Sequence, residues 1–187
     1  MPAPCAANFE RCSKSGLTLI EVLVAVAILG IVAVAAIPDF SAMDDQRLER
    51  AAIEVADAVR FARSEALRTA TPHGVHGEVA LQRVRVFRLV DSGGTPTPDY
   101  TVRNPVDKKV YHLQMDAPAL GVAVDAVDFS YAGVGPQEYL GFDTTGYPVL
   151  DVAGVQRRLT GGTIILSRGV HQRTVRVAAV TGRVTVE

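Results

Sequence analysis

Glu21 is the one charged side chain between Leu17 and Ile37, in the run "LTLIEVLVAVAILGIVAVAAI". A lone carboxylate well inside a bilayer costs about 2.5 to 3.5 kcal/mol, so such an acid lies near an interface or pairs with a cation. Two roles follow from its type and place. It can sit at a helix N-terminus, where the dipole favours negative charge, or it can bind an amine. Histidine chemistry is poorly supported by comparison. His73 and His76 are separated by two residues in Gly-containing sequence, but no HExxH motif or cysteine pair supplies further metal ligands. A polar loop end is the expectation there, and no metal. His112 and His171 stand alone. No nucleophile elbow, P-loop or GxGxxG occurs, so the chain is read as a non-enzyme without cofactor.

Arginine is the other concentrated functional group. Arg157, Arg158, Arg168, Arg173, Arg176 and Arg183 fall between Val152 and Glu187, where Glu187 is the only acid, whereas residues 89–151 are predominantly acidic. Opposite patches of this kind can join neighbouring subunits. Clustered arginines can also hold phosphates, which would make these strands a DNA-contacting surface. The formal net charge of the whole chain is −1.

The elements that must carry these groups differ along the chain. Of 187 residues, 48% are hydrophobic, and the apolar side chains concentrate before Pro38. As a helix, Leu17–Ile37 would measure roughly 30 Å, the thickness of a bilayer's hydrocarbon core. Arg11 and Lys14 against Glu10 in the leader favour a cytoplasmic start and an outward-facing remainder. Cys5 and Cys12 both precede the apolar run, so the rest of the chain has neither a disulfide nor a cysteine-ligated zinc site. Beyond Pro38, Leu48, Ala52, Val55, Val59, Ala62 and Ala66 recur at spacings of three and four with charges on other faces. This predicts an amphipathic helix that stops near Ala70, ahead of Pro72 and Gly74.

From Gly74 the period changes. Val84 and Val86 alternate with Arg83 and Arg85, and further strands are predicted at 110–115, 127–131, 138–142, 163–167, 173–180 and 183–186. The links are short, so antiparallel pairing is expected. The stretch "DSGGTPTPDYTVRNPVDKK", within 91–109, reads as a long loop, and "GFDTTGYP" as a turn between strands.

"KSGLTLIEVLVAVAILGIVAVAAIP" resembles the N-terminus of type IV prepilins and type II secretion pseudopilins. The resemblance implies cleavage by prepilin peptidase between Gly16 and Leu17 and N-methylation of the new terminus at Leu17. Cleavage would create an amine four residues from Glu21, which in a fibre could equally come from a neighbouring subunit. "RFARSEALRTATP", through Arg63, Ser64, Glu65 and Ala66, is similar to the helix end of H-type minor pseudopilins and FimT-type minor pilins.

The fold so implied is α+β and type IV pilin-like: leader 1–16, transmembrane and assembly helix 17–38, amphipathic helix half 39–72, and a periplasmic β-rich domain 73–187 packed as antiparallel sheet on the long helix. The function implied is that of a minor pseudopilin of a type II secretion system. Its partners would be prepilin peptidase, other pseudopilins, the secretion platform of the inner membrane, membrane lipid and exported protein. The alternative is a FimT-type minor pilin whose Arg168, Arg173, Arg176 and Arg183 contact DNA. Gly182 and Arg183 in "TGRVTVE" match part of the terminal basic motif of that group.

Overall fold

The computed structural model describes residues 18–35, 40–91, 93, 96–152 and 155–187. Gly16, Leu17 and the junction around Pro38 lie outside the described residues. The chain divides into two units, Met1–Asp39 and Phe40–Glu187.

The first unit contributes helix α1, Leu19–Ala35, of 17 residues. At 1.5 Å per residue this is about 25 Å, shorter than the expected span of 17–38. Among the described residues no helix is long and apolar enough to cross a membrane.

The second unit begins with α2, Phe40–Thr69. Among the described residues eleven strands follow: β1 His73–Glu78, β2 Arg83–Asp91, β3 Pro96–Asp99, β4 His112–Gln114, β5 Ala123–Tyr131, β6 Val134–Gln137, β7 Tyr139–Phe142, β8 Val149–Val152, β9 Val155–Arg168, β10 His171–Val177 and β11 Val184–Val186. They form two antiparallel sheets. The first has the order β3-β2-β1-β7 with β4 also on β2, and the second β11-β10-β9-β5-β6 with β8 also on β9. The architecture is thus α+β, a long helix on antiparallel sheet.

Helix α2 touches both sheets, and this explains the width of its buried face. Leu48, Ala52, Val55, Val59, Ala62 and Ala66 are fully buried, and so are Ala51 and Ala56. Alanine lets two sheets approach one helix backbone closely, so the helix buries more than the stripe a single sheet would cover. Against it lie Val75, Val84, Val86, Leu140 and Phe142 of the first sheet and Ile164, Leu166, Val175 and Val177 of the second. The helix ends at Thr69, whose hydroxyl donates to the Glu65 carbonyl at 2.7 Å, and Ala70 turns the chain in the left-handed region at φ 49°.

Two side chains join the sheets through backbone groups. Gln82, at φ 49° between β1 and β2, donates from Nε2 to the carbonyls of Val79 (2.6 Å) and Val124 (3.1 Å) and accepts the Val124 N–H at 2.7 Å. The Tyr131 hydroxyl of β5 donates to the Tyr139 carbonyl at 2.9 Å and accepts the Gly141 N–H at 3.3 Å. The backbone of β7 is thereby held by the second sheet.

Several strands depart from expectation. "HGVHGE" is a strand, not a loop end, with His73 and His76 both buried. At Gly74 a Cβ would collide with the Phe87 ring and the Leu140 carbonyl, so the missing side chain is what lets Phe87 close over β1. Within the 91–109 loop, "PTPD" pairs with β2 as an edge strand, a place where proline is tolerated because the missing N–H need not bond. The strand expected to reach residue 180 stops at Val177, and a turn with Gly182 at φ 61° leads into β11.

Candidate functional site

The N-terminus of α1 is built by Thr18. Its side-chain oxygen accepts the Glu21 N–H at 3.3 Å, and its carbonyl accepts the N–H groups of Glu21 (3.1 Å) and Val22 (3.2 Å). Thr18 and Glu21 therefore stand in the Thr-x-x-Glu spacing of a capping box, a helix-start signal that the sequence carries openly and that a reading of Glu21 as an amine partner passes over. Glu21 lies in the first turn, exposed. Its charge suits the helix dipole there, and its carboxylate is open to a partner.

Every described side chain of α1 is exposed, among them Leu19 at 83% and Ile31 at 72%. Apolar residues occupy all faces of the helix, not one stripe. Such a helix is stable only under lipid or protein. Of the predicted site residues in this region, Glu21 alone is described.

The C-terminal arginines separate into different places. Arg168 at the end of β9 donates from Nε to Asp44 Oδ1 at 2.6 Å, and from Nη1 to the Leu120 carbonyl at 2.9 Å and to the Gly121 carbonyl. Arg173 of β10 donates from Nη2 to Asp45 Oδ1 at 2.7 Å and from Nε to Glu49 Oε2 at 3.1 Å. The two thus form a seam between the second sheet and the N-terminal half of α2. Arg176, an odd number of residues from Arg173, points to the opposite face of β10 and pairs with Glu187 at 2.8 Å. Arg183 is exposed in the turn before β11, and its guanidinium makes no ion pair among the described residues. These four arginines therefore do not share one surface.

On the other side of the first sheet, His76 stacks on Tyr139 with ring centroids 3.9 Å apart. Its Nδ1 lies 2.9 Å from the Tyr100 hydroxyl and 3.3 Å from Glu78, and its Nε2 3.6 Å from Glu138. Burial lowers the His76 pKa, outweighing the two carboxylates that favour its charged form. Glu78 is bonded by both Arg83 and Arg85. Burial alone would raise its pKa, but the two guanidinium groups hold it below the usual range. Arg85 also lies 3.6 Å above the Tyr100 ring, and burial raises the Tyr100 pKa. This cluster pairs its own charges, and burial favours the neutral imidazole. Among the described residues no group of His, Cys, Asp and Glu could hold a metal ion.

The prokaryotic N-terminal methylation motif matches residues 11–37. The family described as Type II transport protein GspH matches residues 51–182, from within α2 to the turn before β11. Among curated proteins none matches. Two solved structures of the Vibrio cholerae minor pseudopilin EpsH, from its type 2 secretion system, are similar. One shares 16% identity over 75% of this chain and 94% of that one, with a TM-score of 0.47. The other shares 15% over 75% and 93%, with a TM-score of 0.49. The Pseudomonas aeruginosa type IV minor pilin FimU shares 15% over 76% and 90%, with a TM-score of 0.43.

Proposed function

The chain belongs to the Type II transport protein GspH family, and from that premise we propose that it is an H-type minor pseudopilin. Prepilin peptidase cuts between Gly16 and Leu17, and Leu17 is then methylated. Residues 17–38 anchor the protein in the inner membrane, with 39–72 and the β-rich part 73–187 in the periplasm. From the membrane it enters the periplasmic pseudopilus near the tip, beside other pseudopilins and above the secretion platform, and supports export of folded proteins. Its role is structural.

The observation that carries this reading is α1: apolar on all faces, exposed along its described length, and opened by a single acid four residues after Leu17, the expected new terminus. Lipid covers such a helix before assembly and neighbouring helices cover it afterwards. In the fibre the new amine of a neighbouring Leu17 pairs with Glu21 and sets the axial step. Mass spectrometry of the chain co-produced with prepilin peptidase tests the first step, with a mature terminus at Leu17 as the expected result and an intact Met1 as the refuting one. Glu21→Ala is expected to leave processing unchanged and to reduce the amount recovered in sheared fibres. Normal recovery would refute the pairing.

A further inference from the structure

Arg60 and Arg63 on α2, and Arg183 in the turn before β11, line one open groove of about 470 Å³ with Ser64, Leu67 and Gly182. Backbone carbonyls aim two of the three. Arg63 Nε donates to the Gly146 carbonyl at 3.0 Å and Arg60 Nη2 to the Val184 carbonyl at 3.3 Å. The Gly146 carbonyl is itself fixed, because Asp143 Oδ1 accepts the Thr145 and Tyr147 N–H groups, both at 2.9 Å, in the turn that connects β7 to β8. Gly182 completes the wall at φ 61°. A Cβ there would lie 2.9 Å from the Phe142 ring and 3.7 Å from the Arg63 side chain, so the turn runs close along Arg63.

A carbonyl directs a guanidinium without neutralising it. Arg63 and Arg183 make no ion pair among the described residues, and Arg60 pairs only with Asp57, at 2.8 Å on the exposed side of α2. Arg168, Arg173 and Arg176, by contrast, each have a carboxylate. An arginine held through Nε keeps its two terminal nitrogens for an end-on bidentate bond to a carboxylate. Leu67, 52% exposed, gives the groove an apolar side.

We propose that this groove docks an acidic segment of a neighbouring fibre subunit, with a carboxylate on Arg63 and Arg183 and an apolar residue against Leu67. The proposal rests on the pseudopilin reading. A protein carboxylate suits the groove better than a nucleic acid. A phosphate backbone needs a track of free cations, and here Arg168, Arg173 and Arg176 are each taken by an acid, while Glu54 and Asp57 occupy the same helix as Arg60 and Arg63.

The test uses the full chain in detergent micelles and a fluorescent peptide of alternating Glu and Leu. Its controls are the same peptide with Gln for Glu and a single-stranded oligonucleotide of equal charge. The acidic peptide is expected to bind with salt-sensitive affinity and the Gln peptide not to. Arg183→Gln, at an exposed turn position, is expected to weaken binding about tenfold, the loss of one charge-assisted bond, and Arg176→Gln to leave it unchanged. Absence of peptide binding, an equal loss in Arg176→Gln, or tighter binding of the oligonucleotide would overturn the proposal. Recovery in fibres separates the two readings. An Arg63→Gln/Arg183→Gln chain that is cut at Leu17 and still incorporates normally refutes the groove alone. An unprocessed unmodified chain refutes the pseudopilin reading whatever the groove binds.

Discussion

Gln82 occupies the left-handed region, at φ 49°, which costs a residue with a side chain about 1–2 kcal/mol. Glycine would avoid that strain, but glycine could not bond Val124. The amide of Gln82 supplies an acceptor and a donor to one residue of β5, as a neighbouring strand would, and so continues the hydrogen bonding of one sheet into the other. Gln82→Ala leaves the Val124 N–H and carbonyl without these partners and retains the strain. It is expected to destabilise the protein by about 2–3 kcal/mol, measured by urea denaturation, with Gln82→Gly losing less because the backbone relaxes. Equal losses in the two variants would show that the strain is not part of the balance.

Helix α2 shows the same strain at its end. Ala70 stands at the position after the last helical residue, left-handed at φ 49°, where glycine is the usual occupant. Ala70→Gly is expected to raise stability by about 1 kcal/mol, seen as a higher melting temperature with the far-ultraviolet spectrum unchanged. This helix is legible in the amino-acid sequence, because Leu48, Val55 and Val59 fall on one face at helical spacing and Pro72 forbids continuation. Strands β2 and β5 are legible too, through their alternating apolar residues. Strand β1 is not, since "HGVHGE" holds one aliphatic residue, and its burial comes from Phe87 and the aromatic rings packed on it. The seam of Arg168 and Arg173 is hidden for another reason: each arginine lies more than a hundred positions from its carboxylate, so composition reveals the charges and only the fold pairs them. The capping residue Thr18 is in plain view, three residues before Glu21.

For the whole molecule, pH acts first through His76. Its folded pKa is lowered below the ordinary value of about 6.5, so the unfolded chain binds the proton more readily. The corresponding stability is complete above about pH 6.5 and is lost as pH falls below it. Glu78, Glu65 and Asp99 are also lowered, each by bonds from arginine, and their contributions fade only below the ordinary carboxylate range near pH 4.5. The groups facing His76 are Glu78, Arg85, Glu138, Tyr100 and Tyr139; burial among them lowers its pKa, Arg85 adds to that, and Glu78 and Glu138 oppose it. Denaturation midpoints measured from about pH 8 to about pH 2 should show two declines. His76→Gln should remove the earlier one and keep the later, and an unchanged profile would refute the assignment.

The arginine seam has a mechanical meaning as well. Tension applied at the start of α2 meets, among the described residues, ion pairs to the second sheet at Asp44 with Arg168 and at Asp45 and Glu49 with Arg173. Arg168 and Arg173 lie on the two strands that flank the β9–β10 turn, so these bonds share the load across two hydrogen-bonded strands. The alanine-lined contact behind them is then shielded from peeling, and load on the start of α2 passes directly into the second sheet.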